Sequence, residues 1–159
     1  MTGIDIRPAT VDDAEALTRL AHAAKRHWNY PEEWIGLWRA GLTVTPEFIT
    51  RYPVYCAWRG DEIVGFYALT QAPPDRELEH MWVAPAYIGR GVGAQLLAHA
   101  VAILRAEGSR TLKIESDPYA ESFYIKHGAR RVGSIPSTPA GRTLPVLSLE
   151  VPPEREGTR

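Results

Sequence analysis

Hydrophobic and polar positions alternate at the start of the chain. Ile4 and Ile6 in "GIDIRPA" are separated by polar residues, which predicts a strand. Helical spacing follows, with Ala14, Leu17, Leu20, Ala21 and Ala24 at intervals of three and four behind Thr10 and Asp13, which are spaced as a capping box. "NYPEEWIGLWRAG" predicts a second, shorter helix, with Pro31 near its first turn and Gly41 past its end; "TPEFITRY" adds another helical turn. "PVYCAWRGDEIVGFYAL" reads as two strands turning at Gly60-Asp61, and "RELEHMWVAP" as a further strand stopped by Pro85. From Gly91 the stripe Val92, Leu96, Leu97, Ala100, Val101 and Leu104 predicts a helix ending at Gly108. "RTLKIES" is the next strand. Asp117 then caps a helix, "PYAESFYIKHG", with Pro118 first and Gly128 closing it. "ARRVGSI" and "RTLPVLSLEV" are the last strands, joined by "PSTPAG".

The resulting order, β-α-α-β-β-β-α-β-α-β-β, predicts an α/β fold: a mixed central sheet with helices on both faces. No repeat or long linker divides it, so residues 1–151 are expected to form one domain and 152–159 a disordered tail. At 159 residues the chain is long enough to bury a real core, and 45% apolar with 23% charged residues is a globular composition. Its 18 basic and 19 acidic residues nearly cancel, which argues against nucleic acid as a partner. Cys56 is the single cysteine, so neither a disulfide nor a thiolate zinc site is expected, and no His/Asp/Glu spacing suggests a metal. Without a signal core or a membrane-length apolar run, the expected location is the cytoplasm, with no membrane partner.

Glycine is a poor helix former, yet "GRGVGAQLLAHA" sets Gly89, Gly91 and Gly93 at the mouth of a helix. Unpaired amides there suit an anion, and glycine lets a phosphate come close. A nucleotide P-loop needs Gly-Lys followed by Ser or Thr, which is missing. The dinucleotide pattern G-x-G-x-x-G/A is met by Gly89, Gly91 and Ala94, with Glu115 downstream, but "APAYI" separates the strand from the first glycine. The third reading is a coenzyme A diphosphate loop. "LEHMWVAPAYIGRGVGAQLL" resembles motif A of the GNAT superfamily of N-acetyltransferases, in which a strand ends in Val-x-Pro and a Gln/Arg-x-x-Gly-x-Gly/Ala loop follows. Val83-Ala84-Pro85, Gly91 and Gly93 fill those places, and Ile88 stands where the pattern has Gln or Arg. "SDPYAESFYIKHGARRVG" resembles the second hallmark through Ala120, Phe123, Tyr124 and Gly128.

The resemblance implies a mostly antiparallel sheet and an acetyl-CoA-dependent N-acetyltransferase that acts by direct transfer to a primary amine. The acceptor would be a small molecule or a peptide, and a homodimer is common in the superfamily. The expected donor-binding residues are Met81, Trp82, Val83, Ile88, Gly89, Arg90, Gly91, Val92, Gly93, Ala94, Asp117, Ala120 and Tyr124. A free amide near Met81 or Trp82 would polarise the acetyl carbonyl. Tyr124 is the implied acid, since a phenol titrating at about pH 10 can protonate a thiolate of about 8.5. The base lies among Glu79, Glu77 and His80. Strict alternation puts the two glutamates on one face and His80 on the other, unless a β-bulge re-aims it. Cys56 sits mid-strand and reads as a small buried hydrophobe.

Trp28, Tyr30, Trp34 and Trp38, with Lys25 just before them, fall where the superfamily walls its acceptor site, and Glu32 or Glu33 could attract a cationic amine; Trp34 and Trp38, four apart, equally suit helix packing. Arg142 is either an acceptor carboxylate or phosphate ligand or a surface arginine. Two other functions remain open on these residues: a catalytically silent acyl-CoA-binding regulatory module and an NAD-dependent oxidoreductase.

Overall fold

A computed structural model describes residues 3–153. Seven strands, β1 (Ile4–Pro8), β2 (Val54–Arg59), β3 (Glu62–Thr70), β4 (Asp75–Val83), β5 (Thr111–Glu115), β6 (Arg130–Pro136) and β7 (Thr143–Glu150), form one sheet in the order β1-β2-β3-β4-β5-β7-β6. Every neighbouring pair is antiparallel except β4 and β5, so the mostly antiparallel sheet is the one that forms. The helices are α1 (Ala14–Arg26), α2 (Glu32–Leu37), α3 (Arg39–Leu42), α4 (Pro46–Arg51), α5 (Val92–Ala106) and α6 (Glu121–Lys126). No helix among the described residues is long and apolar enough to cross a membrane.

Two apolar layers hold the sheet. Leu96, Leu97 and Leu104 of α5 pack with Val64, Leu112 and Leu147 on one face. Leu17 and Leu20 of α1 and Ile49 of α4 pack with Cys56, Phe66 and Ala68 on the other. β3 is covered on both sides, which is why its Val64-to-Leu69 run is nearly all apolar. At Gly65 a Cβ would sit 3.0 Å from both the Trp82 carbonyl oxygen and Leu96 Cδ1, so only glycine lets α5 come this close to the sheet.

Three local expectations are revised. The second helix breaks at Trp38 (φ −92°, ψ 0°) into α2 and α3, and Gly41 lies inside α3 and not beyond its end. At this break Trp38 Nε1 donates to the Thr138 carbonyl at 2.9 Å, tying the segment to the 137–142 loop. The segment after Asp117 begins as a 3-10 turn, Pro118–Ala120, leaving α6 six residues long. Of the expected tail, Pro152 is held through its carbonyl by Arg105 Nε at 2.9 Å; residues 154–159 lie outside the described residues.

β4 and β5 set the site. They pair only over Asp75–Glu77 and Thr111–Lys113, then separate. β4 also carries one residue more than β3 at this point, because Ala68 faces His80 and Leu69 faces Leu78, making Glu79 a bulge.

Gly65→Ala should destabilise the fold by about 1–3 kcal/mol, the usual cost of overpacking against backbone. A lower urea midpoint at unchanged slope would show it; an unchanged midpoint would mean that α5 moves aside freely.

Candidate active site

The separation of β4 from β5 opens a cleft of about 800 Å³. Beyond Glu77, every second residue of β4 turns its N–H and C=O away from β3 and into this gap. The α5 N-terminus flanks one side of the cleft; α1, α3 and the 137–142 loop flank the other.

A 3-10 turn, Pro85–Tyr87, carries the chain from β4 to α5. Gly89 (φ +80°) and Gly91 (φ +85°) then adopt left-handed backbone, and Gly91 caps the helix. The first helical bond is Gln95 N–H to Gly91 O, at 3.1 Å. The amides of Gly89, Gly91, Val92, Gly93 and Ala94 thus bond to no protein acceptor among the described residues. Gly93 is glycine for space as well, since a Cβ there would lie 3.3 Å from the Phe123 ring. Ile88, Gly89, Gly91, Gly93 and Ala94 line the cleft, while the Val92 side chain is core. Arg90 differs from the sequence expectation. Its amide closes a turn on the Tyr87 carbonyl at 3.3 Å, leaving the guanidinium, 5.5 Å from the Tyr87 ring, as its free polar group.

On β4, Glu79, Met81, Trp82 and Val83 line the cleft. The bulge breaks the expected alternation: Leu78 belongs to the α5 layer, whereas His80 packs against Phe48 and Phe66 of the α1 layer. His80 is 5% exposed and accepts a hydrogen bond from Trp82 Nε1 on its Nδ1, at 3.0 Å. Burial pulls the imidazole down to about 4, so it is neutral near pH 7. Glu79 is exposed into the cleft and accepts from Thr70 Oγ1 at 3.4 Å. Glu77 lies one step back, where β4 and β5 still pair. Burial, then the Glu115 carboxylate, holds its carboxyl above the usual range.

Across the gap, Asp117, Ala120 and Tyr124 line the cleft. Tyr124 is 6% exposed, and its hydroxyl bonds to nothing among the described residues. Burial raises that phenol well above its ordinary value, and Asp117 adds to the shift. The Asp117 carboxylate, by contrast, is occupied within the protein. It accepts from Lys25 Nζ at 2.5 Å, Tyr30 Oη at 3.0 Å and Tyr119 N at 2.9 Å, and Arg142 Nη2 stands 3.7 Å away.

Trp28 and Arg142 also line the cleft, and Trp28 stacks on Tyr119 at 5.1 Å. Tyr30 and Trp34 are stacked at 6.0 Å behind that wall, and Glu33 is exposed on α2 without a bonded partner among the described residues. Arg142 is not a surface arginine. Its side chain is 11% exposed, with the guanidinium 4.6 Å from the Trp38 ring. The sequence placed Trp38 in the aromatic cluster and Lys25 just before it, but gave Lys25 no role and did not foresee its pairing with Asp117. The available signal was a lysine four places after Ala21, on the buried stripe of α1.

The acetyltransferase (GNAT) family model matches residues 14–129. A curated relative, peptidyl-lysine N-acetyltransferase YjaB of Salmonella typhimurium, is 27% identical over 76% of this chain and 91% of its own length. Among solved structures, PaiA N-acetyltransferase of Thermoplasma acidophilum in complex with coenzyme A has a TM-score of 0.78 at 21% identity, covering 92% of this chain and 98% of its own. The ribosomal-protein-S18-alanine N-acetyltransferase of Escherichia coli has 0.71 at 18% identity, covering 98% and 99%.

His80 yields a pH prediction. With the folded value near 4 and an unfolded value of about 6.5, the unfolded chain binds more protons between them, so stability falls as pH drops through that window. The wild type should lose about 2 kcal/mol on this account between pH 6.5 and 5, and His80→Gln should lose less by that amount. Urea midpoints at the two pH values measure both; parallel losses would refute the assignment.

Proposed function

Since the chain belongs to the GNAT family of acetyltransferases, we propose that it moves an acetyl group from acetyl-CoA straight to a primary amine within a ternary complex. The observation that carries this reading is the set of unengaged amides at Gly89 and Gly91–Ala94, beside a strand whose main-chain groups face an open gap. Those amides and the helix dipole suit the diphosphate of coenzyme A, and the β4 edge suits its amide-bearing arm. A primary amine as acceptor agrees with the Salmonella relative, which is named for peptidyl-lysine.

Glu79 takes a proton from the acceptor ammonium, directly or through one water, because it is the β4 carboxylate that faces the cleft. The amine nitrogen then bonds to the thioester carbon. An amide at Met81 or Trp82 that faces the gap stabilises the oxygen as it gains charge. The C–S bond breaks, and Tyr124 gives its proton to the departing thiolate. Burial raises the Tyr124 phenol, so it is protonated at neutral pH and ready to donate. Cys56 offers no acyl-enzyme route. It is fully buried in the α1 layer, with its thiol pushed up to about 12. A silent regulatory module would have no use for an unbonded phenol at this place. A reducing compartment that holds acetyl-CoA, the cytoplasm, suits this enzyme.

Tyr124→Phe should lower kcat about a hundredfold or more while KM for acetyl-CoA stays within about twofold. Unchanged kcat in a thioester-consumption assay removes Tyr124 from the acid role. Glu79→Gln should lower kcat about a hundredfold while KM for acetyl-CoA stays within about twofold; unchanged kcat assigns the base elsewhere.

A further inference from the structure

Lys25 and Arg142 converge on one carboxylate, Asp117, and all three side chains are close to 10% exposed. Burial holds the nearby Tyr30 phenol at about 12, so it adds no negative charge. The cluster therefore carries two cations and one anion. Closely bonded to it are neutral groups, Ser137 Oγ and Tyr30 Oη on Arg142, with the faces of Tyr30 and Trp38 around Lys25. Much donor capacity is left over, since Lys25 uses one of three N–H bonds on Asp117 and Arg142 uses two of five on those oxygens. A positive charge left over in a nearly buried cluster is costly without an anion. Both cations line the cleft, so their exposed remainder opens there. The donor diphosphate does not fill this role, because α5 packs on one face of the sheet and the Lys25 helix on the other.

The same lining carries acidic side chains, Glu79 at the β4 bulge and Glu115 two residues before Asp117. We infer that the acceptor is an amino-carboxylate whose carboxylate is held by Arg142 and Lys25 while its amine lies beside Glu79. This rests on the acetyltransferase reading and names its substrate class. Trp38 and Trp82, whose ring centroids lie 4.4 Å and 5.8 Å from Lys25 Nζ, line the cleft beside the cations and suit a hydrocarbon or flat body on the acceptor. Burial draws the Lys25 ammonium below its ordinary value and Asp117 opposes the shift; a ligand carboxylate acts in the same direction as Asp117.

The test compares matched acceptors with acetyl-CoA: L-phenylalanine against 2-phenylethylamine, ω-amino acids of increasing length against the alkylamines lacking the carboxylate, and a lysine peptide with blocked termini. In the wild type, at least one carboxylate-bearing member should exceed its partner by about tenfold or more in kcat/KM, and Arg142→Gln should bring that ratio to within about twofold. Arg142→Lys, which keeps the charge but loses the planar fork, should fall between. The inference is overturned if the wild type treats every pair alike, if Arg142→Gln lowers both members by one factor, or if the blocked peptide is preferred to every carboxylate. Should no amine consume the thioester, the acetyltransferase reading fails. Calorimetric titration of the CoA-mixed protein with the same amino-carboxylates then decides the carboxylate site alone: heat that Arg142→Gln abolishes supports it, and no heat overturns it.

Discussion

A backbone N–H or C=O that leaves a sheet must find another partner or face water. In this protein β4 and β5 stay paired for three residues and then diverge, which strips the β4 edge of its ladder just where α5 begins. The divergence therefore produces two groups of free main-chain polar atoms side by side, one along β4 and one at the α5 N-terminus. Packing keeps the gap in place. Gly65 lets α5 rest against the sheet, Gly93 lets the Phe123 ring of α6 rest against α5, and the apolar layers beneath hold both helices. The proposed donor site is thus made largely of backbone, with side chains deciding how closely the elements approach.

The opposite flank of the cleft is organised differently. Asp117 stands at the end of β5 and gathers α1 through Lys25, the following turn through Tyr30, and the β6–β7 loop through Arg142. Trp38 ties the same loop to α3 by its bond to Thr138. One carboxylate thereby fixes the relative position of three segments that share no strand ladder. Exposed ion pairs such as Glu15–Arg19 contribute little to any of this, whereas a nearly buried hub resists water and salt.

Much of the architecture was legible in the sequence because it depends on local rules. Alternation marked the strands, Pro85 marked the end of β4, and Asp117-Pro118 marked a helical start. Gly89 and Gly91 signalled backbone that other residues rarely adopt, and both have positive φ. What could not be read depends on distant partners. Lys25 and Asp117 are 92 positions apart, and nothing near either one announces the other. The break at Trp38 coincides with its indole bond to Thr138, 100 positions away. The bulge at Glu79 arises from pairing with β3, so alternation alone misplaces the faces of Glu77, Glu79 and His80. Arg90 shows a similar limit: the glycine pattern locates the loop but does not tell which of its amides the turn itself uses.

The extra residue at Glu79 also constrains how a lineage of such chains can diversify. Losing Glu79 would leave Leu78 and His80 adjacent, opposite Leu69 and Ala68, so regular pairing would return with His80 and Trp82 still in their layer, but the β4 carboxylate that lines the cleft would be gone. The strand can therefore shed that position without disturbing the sheet, though not without emptying the cleft of Glu79. The 137–142 loop and the short α2–α3 segment touch the rest of the molecule through side chains, so drift in length or composition there leaves the sheet register intact. New preferences can emerge on that rim while the β4–α5 half of the cleft stays as it is.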